Sequence, residues 1–307
     1  MNVLTVATRG TELAIAQTEI VIRLLKKIYP DVRIKTKKVT TEGDKDKRTA
    51  LWNLKSTGFF TSQVEKALLA GKADFAVHSF KDLPTKQPDG LTVAAVCNRQ
   101  FAEDCLIAGP AISSVEQLRD SAVIGTSSLR RATQIKHLRD DLKPTSIRGS
   151  VPTRIKLFEE GKFDAIILAR AGLERLGLSN KISVSFEPEQ FIPAPAQGAL
   201  AVQTRTDDAA TNKLIAAIDN KKARATTFAE RQILVTTQCG CHGPVGAFAK
   251  VAGKNIEICA FISDLEGENF IRRRIVGPAG KAEELAEKVS HQMLDAGGTE
   301  ILEKLKK

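Results

Sequence analysis

The chain has 307 residues, 42% hydrophobic and 27% charged, long enough for about two domains at roughly 150 residues each, or three smaller ones, and too apolar for a disordered chain. Lysine and arginine total 46 against 36 aspartates and glutamates, a formal charge of +10, which favours a polyanionic partner: nucleic acid, an acidic membrane surface, or a small molecule with several carboxylates or phosphates. No apolar run approaches the ~18–20 residues of a membrane span, five cysteines are too few and irregular for a disulfide framework, and 5% aromatics with one Trp and one Tyr are poor equipment for stacking on single-stranded nucleic acid.

Met1–Val6 reads as the start of a strand. It has no basic leader, long apolar segment or small-residue cleavage site, so a cytoplasmic location with reduced thiols is the expectation. Val3–Thr8 is an apolar run ending in Ala7-Thr8-Arg9-Gly10. From Thr11, a plausible N-cap, Leu13, Ile20, Leu24 and Ile28 recur at helical spacing until Pro30. Val32–Thr36 alternates like a strand. Residues 40–56 turn polar without a period and predict a long loop. A helix is expected at about Phe59–Ala70, then a turn at Gly71–Asp74 and the strand Phe75–Val77, at whose carboxyl end stand His78-Ser79-Phe80-Lys81-Asp82-Leu83-Pro84. Strands alternating with helices predict βαβ units and a largely parallel sheet, whose ligands gather at the carboxyl ends of strands.

Residues 101–192 repeat this grammar. Val123-Ile124-Gly125-Thr126-Ser127-Ser128 leads into a helix carrying Arg130 and Arg131, much as Val6–Thr11 leads into the first helix. The matches are short, and two generic βα units account for them as well as a duplication does. Both halves put a helix N-terminus, with its free amides, at the tip of a strand, which suits an anion. Two such halves facing each other would line a cleft. Phe191–Gly198 is rich in Pro and Gly and reads as a linker or crossing strand. A helix over about 220–237 ends in Cys239-Gly240-Cys241-His242-Gly243-Pro244. Three runs near 245–251, 255–263 and 269–276, broken by Gly253-Lys254-Asn255 and Glu266-Gly267-Glu268, predict an antiparallel meander, closed by helices at about 281–296 and 299–306.

Several side chains could carry chemistry. The Cys239-Gly240-Cys241-His242 cluster is a weak metal signature, because the spacing is C-x-C and no second ligand pair stands nearby. Taken alone it reads as ordinary thiols in a Gly-rich turn, although Gly240 and Gly243 would let a large partner approach the Cys241 sulfur, where a thiolate could be a nucleophile or a covalent anchor. Asp82 beside Lys81 reads locally as a solvated pair, and His78 as a packing residue at a strand end. The arginines are more telling as a set. Arg9, Arg130, Arg131, Arg148, Arg154, Arg170 and Arg175 all fall in or near turns and helix starts, where a planar fork can grip a carboxylate with two bonds. Neither a Gly-x-x-x-x-Gly-Lys-Ser/Thr loop nor a Gly-x-Gly-x-x-Gly motif supports nucleotide binding.

Ala7-Thr8-Arg9, His78–Pro84, Gly125–Arg131, Arg148–Arg154, Ala171-Gly172-Leu173 and Gly240–Gly246 follow one another over nearly the whole chain. With these blocks the sequence closely resembles the porphobilinogen deaminase (hydroxymethylbilane synthase) family. The resemblance implies an α/β fold with two similar periplasmic-binding-protein-like (type II) domains around a cleft and a smaller α+β C-terminal domain. The implied division is residues 1–97 with 198–216, then 101–192, then 220–307. It also implies a transferase of tetrapyrrole and heme biosynthesis that condenses four porphobilinogen molecules, with loss of ammonia, on a covalent dipyrromethane.

By that resemblance Cys241 carries the dipyrromethane through a thioether, because the Gly-Cys-x-x-Pro-x-Gly frame fits only there. Ser79, Lys81, Asp82, Thr126, Ser127, Arg130, Arg131 and Arg148 hold the cofactor. Arg9, Thr11, Gln17, Phe60, Arg148, Arg154, Arg175 and Gln197 bind substrate, and Asp82 is catalytic. No metal, nucleic acid or membrane is expected, and the implied state is a monomer. The chain departs from the family pattern at Thr57, where a lysine is usual, at Thr11, where serine is commoner, and at Cys239 and His242 beside the anchor. Residues 41–57 match the family's mobile loop. The competing expectation is a non-catalytic cleft-type binding protein for a multicarboxylate ligand, which leaves Cys241 and the third domain without a purpose; a nucleic-acid binder is more distant, with basic charge but no recognition motif.

Overall fold

The computed structural model describes residues 3–41, 43, 61–97, 99–240 and 243–306. They form two compact units: one holds the described residues up to 100 together with 198–224, the other holds 101–197 and the described residues from 225 onward.

The first unit is built on β1 (Leu4–Arg9), α1 (Glu12–Ile28), β2 (Ile34–Val39), α2 (Ser62–Leu69), β3 (Phe75–Ser79), β4 (Leu91–Cys97), β10 (Leu200–Arg205) and α6 (Ala209–Ala216). Its sheet runs β2-β1-β3-β10-β4, with β1 parallel to β2 and β3 and with β10 antiparallel to β3 and β4. Helices cover both faces, so β3 must be apolar on both sides. Phe75, Val77 and Val202 pack with Val21 and Leu25 of α1, while Ala7 and Ala76 pack with Val64 and Leu68 of α2. At the α1 start, Thr11 Oγ1 accepts from the Ala14 amide at 3.3 Å, a side-chain cap that replaces a missing helical partner.

The second unit contains two sheets. The first consists of β5 (Asp104–Ala108), β6 (Val123–Gly125), β7 (Lys143–Thr145), β8 (Ala165–Ala169) and β9 (Val184–Ser185), with α3 (Leu129–Leu138), α4 (Val151–Glu159) and α5 (Arg170–Arg175) between strands. Its order is β7-β6-β8-β5-β9, with β6 parallel to β7 and β8 and β5 antiparallel to β8 and β9. Position by position this matches the first sheet, including the antiparallel fourth strand. In each case that strand is the one the chain forms on entering the sheet from the other.

The helix α7 (Lys221–Thr237) leads to β11 (Val245–Ala252), β12 (Asn255–Ser263) and β13 (Phe270–Pro278), the expected antiparallel meander. Then come α8 (Ala282–Met293) and α9 (Thr299–Lys306). One face of this sheet packs Val245, Ile258 and Ile262 against Ile233, Val289 and Met293. The other face presents Phe261, stacked at 4.7 Å on Phe270, which stacks at 4.1 Å on His137 of α3. His137 Nδ1 lies 3.0 Å from the Gly267 carbonyl, and Lys136 pairs with Glu266, so the β12–β13 turn clasps the C-terminal end of α3.

Three local expectations shift. The second strand begins at Ile34 rather than Val32 and runs to Val39, because Val32 N is engaged by Tyr29 O in a turn. As an edge strand it exposes four consecutive residues, Lys35–Lys38, and that blurs the alternation. The helix expected from Phe59 is seen from Ser62; residues 59 and 60, like most of the predicted 40–56 loop, lie outside the described residues. The Phe191–Gly198 segment is no solvated linker: Phe191, Ile192, Ala196 and Gln197 are buried, and Ala196 N donates to the buried Glu230 at 2.7 Å. Among the described residues no helix is long and apolar enough to cross a membrane.

Gly267 has φ +77°, and a Cβ there would stand 2.6 Å from the Thr133 carbonyl oxygen. Gly253, with φ +60°, faces open space. Gly253→Ala is therefore expected to cost about 1 kcal/mol through backbone strain alone, and Gly267→Ala about 2–4 kcal/mol through strain plus overpacking. Denaturant unfolding of both variants checks this, and equal costs would mean that the α3 contact adds nothing.

Candidate active site

Parallel strands that end at one edge of a sheet bring their following residues together there. In the first unit these are Arg9 and Thr11 after β1 and the 79–84 segment after β3. Phe80 and Leu83 are buried, whereas Lys81 is half-buried and Asp82 exposed. A single 3-10 turn, Phe80–Asp82, therefore anchors by its apolar ends and presents its charges outward. Phe80 N donates to Ala199 O at 3.0 Å, and Leu83 N to Phe80 O at 3.3 Å. Gln17, buried on α1, donates through Nε2 to Ser79 Oγ at 2.8 Å, so both residues sit at the base of the turn.

His78, just before the turn, is buried. Burial pushes its pKa down to about 4; a hydrogen bond to Gln203 opposes this, and the Arg9 charge lowers it further. It is a neutral packing residue near pH 7, as its sequence position suggested.

In the second unit the corresponding edge carries Thr126 and Ser127 after β6, Arg148 after β7, and α5 with Arg175 after β8. Thr126 Oγ1 accepts from Ser128 N at 3.3 Å, and Ser127 Oγ donates to the Ile147 carbonyl. The N-cap Ser128 makes no side-chain capping bond, so the first-turn amides of α3 receive nothing from that side chain, and a helix start of this kind favours an anion. Arg154 Nε donates to Gly149 O at 3.0 Å at the start of α4.

The centre of this half is a residue that sequence reasoning missed. Asp104, fully buried at the start of β5, accepts from Arg131 Nε at 3.1 Å and Nη2 at 2.7 Å through Oδ1. Its Oδ2 faces Arg130 Nη1 at 2.7 Å. Gln197 Nε2 also donates to Oδ1, at 2.8 Å, and to Ala102 O at 2.7 Å. Burial alone would raise the Asp104 pKa, but the two guanidiniums and their hydrogen bonds hold it well below the usual carboxylate range. Burial pulls Arg130 below its ordinary value despite the opposing field of Asp104. The Arg130 Nε is buried without a hydrogen-bond partner. One carboxylate against two cations leaves an excess of positive charge where the α3 amides already favour an anion.

The sequence did hold one signal for this residue: a pair of adjacent arginines entering a helix at a strand tip demands a buried counter-charge, and Asp104 opens an otherwise apolar strand. Its neighbour Cys105 is chemically quiet, with its thiol pushed up to about 12 by burial and by Asp104. Phe60, Thr57, Cys241 and His242 lie outside the described residues. No group of three or more metal-ligating side chains occurs among the described residues.

The family model described as "Porphobilinogen deaminase, dipyromethane cofactor binding domain" matches residues 4–213, and that described as "Porphobilinogen deaminase, C-terminal domain" matches 225–295. The chain is 38% identical to the porphobilinogen deaminase of Maridesulfovibrio salexigens over 99% of both chains. The chain belongs to the porphobilinogen deaminase family. Porphobilinogen deaminase of Desulforudis audaxviator is likewise 38% identical, over 98% of this chain and 97% of that one. The structure is also similar to that of the methionine-binding protein MetQ, at 11% identity and a TM-score of 0.46 over 70% of this chain and 89% of that one. Membership of an enzyme family favours catalysis over the non-catalytic binding protein.

Asp104→Asn keeps the shape but leaves two buried cations uncompensated. It is expected to lower the unfolding free energy by about 3–5 kcal/mol in denaturant titration at neutral pH. With Asp104 intact, its contribution is present above the ordinary carboxylate pKa and lost only as the pH falls through the depressed one. A loss below about 1 kcal/mol would mean that the arginines do not depend on this carboxylate.

Proposed function

We propose that the chain is a hydroxymethylbilane synthase, a transferase that joins four porphobilinogen molecules head to tail with release of ammonia at each step and hydrolytically releases the linear tetrapyrrole. The observation that carries this reading is the 38% identity to a porphobilinogen deaminase over 99% of both chains. The reading extends to a cytoplasmic monomer that acts on a small molecule and needs neither nucleic acid nor membrane. The polar chemistry of the second unit fits a carboxylate-bearing oligopyrrole. The buried Arg130 Nε without a partner and the excess cation beside Asp104 both call for an anion from outside the chain.

Cys241 would hold the dipyrromethane by a thioether, with Ser79, Lys81, Asp82, Thr126, Ser127, Arg130, Arg131 and Arg148 around it. When bound, that group supplies the pyrrole carbon to which the first substrate is joined. The chain's own contribution is charge and position. Each pyrrole brings an acetate and a propionate, and Arg9, Arg148, Arg154 and Arg175 offer forks for them, with Thr11, Gln17, Gln197 and Phe60 completing the substrate contacts.

In the substrate, the aminomethyl C–N bond breaks and its electron pair leaves with ammonia, so the remaining azafulvene is cationic. The carboxylate of Asp82, exposed on a turn with fixed ends, stabilises that cation near the pyrrole N–H and can take up the proton released when aromaticity returns.

The intact protein is expected to weigh more than its sequence by two linked pyrrole units, and Cys241→Ser to lose both that excess and the activity. Mass spectrometry together with an ammonia assay checks this; active enzyme at the bare sequence mass would exclude the covalent primer. Asp82→Asn is expected to keep the mass excess while kcat falls by on the order of 10²–10⁴. A rate near that of the unsubstituted enzyme would remove Asp82 from the chemistry.

A further inference from the structure

The sheet face beneath α2 carries a polar chain where apolar packing would serve the core equally well. Gln203 of β10 is fully buried, and its Nε2 donates to Glu65 Oε1 at 3.2 Å and to Gln87 Oε1 at 2.8 Å. Gln87 Nε2 donates in turn to the carbonyl of Pro84 at 2.8 Å. Glu65, buried on α2, also accepts from Thr61 Oγ1 at 3.3 Å. A buried amide network brings little net stability over a well-packed apolar set. It offers direction: a hydrogen bond fixes where a carbonyl points, which an apolar contact does not.

That direction leads to the Asp82 turn. Pro84 closes the segment that carries Lys81 and Asp82, and Phe80 N at its opening donates to Ala199 O. Both ends of the turn are therefore tied to one stretch of return strand, residues 199–203. Opposite Gln203 the register against β4 shifts, with Val202 facing Ala95 and Gln203 facing Val93. Arg224 Nη2 secures this irregularity by donating to the carbonyls of Val93 at 3.3 Å and Ala94 at 3.0 Å. Irregularities of this kind re-aim side chains beside functional sites.

We propose that Gln203 and Gln87 are positioning residues that, through the Pro84 carbonyl, set the attitude of the turn presenting Asp82. The proposal rests on Asp82 being the catalytic carboxylate. Gln87 is half-buried, so Gln87→Met keeps its shape, removes both amide ends and spares the α2 core. The expected result is a fall in kcat of about 10-fold with KM within about twofold, because a misplaced group costs rate without costing binding. The dipyrromethane mass excess and the melting temperature should stay as in the unsubstituted enzyme. In an Asp82→Asn background the same substitution is expected to change the residual rate by less than about twofold, since the group it positions is gone. Gln203→Met should give the same kinetic pattern with a lower melting temperature, because it also takes a donor from the buried Glu65 carboxylate. Unchanged kcat in Gln87→Met, or an equal fall in both backgrounds, overturns the proposal. Mass excess and ammonia release are measured first on the unsubstituted protein, so a failure of the functional reading appears there and a failure of the brace only in the variants.

Discussion

A single carboxylate shared by two guanidiniums organises the second unit. Asp104 is fully buried, so its charge depends on Arg130 and Arg131 staying within bonding distance. Their helix, α3, is thereby fixed at its first turn. Other partners follow from the same requirement. Arg130 Nη1 also donates to the Ile192 carbonyl at 2.8 Å, and Gln134 exchanges two bonds with Ile192, one to its carbonyl and one from its amide. Gln197 reaches Asp104 from the segment that leads back toward the first sheet. The irregular 191–198 chain is thus ordered by charge and amide bonds instead of by strand pairing.

The two units solve the same problem with different chemistry. Each must hold the residues at a strand tip rigidly while leaving them open to a ligand. The second unit does so with the ion pairs of Asp104 to Arg130 and Arg131. The first unit supports the Asp82 turn through neutral groups: the Ala199 carbonyl, the Gln87 amide and, at its base, Gln17 on Ser79.

How much of this was legible depended on whether the signal was local. The meander of β11–β13 could be read because Gly253-Lys254-Asn255 and Glu266-Gly267-Glu268 punctuate alternating runs, and the arginines drew notice because they cluster at strand tips. β2 starts two residues later than expected because Val32 is taken into a turn, and its extension to Val39 was hidden because an exposed lysine-rich edge carries almost no hydrophobic pattern. Asp104 and Gln203 were missed for the same reason as each other. Each is one polar residue in an apolar strand, and its meaning lies in partners far along the chain: Arg131 is 27 residues from Asp104 and Glu65 is 138 from Gln203. Sequence spacing cannot bring such pairs together. Cys241 was singled out by its motif, a kind of information that folding physics does not supply.

The clasp on α3 ties the small third sheet to the helix that carries Arg130 and Arg131. Asp104 restrains the helix at its N-terminal turn, and at the other end His137 is stacked on Phe270 and bonded to Gly267, with Lys136 paired to Glu266. A helix of ten residues held at both ends cannot tilt or slide without breaking a buried ion pair or an aromatic stack. Its first turn and the guanidiniums it carries are therefore held in place by the fold itself. Electrostatic stabilisation is effective when the dipoles need not reorganise as charge develops.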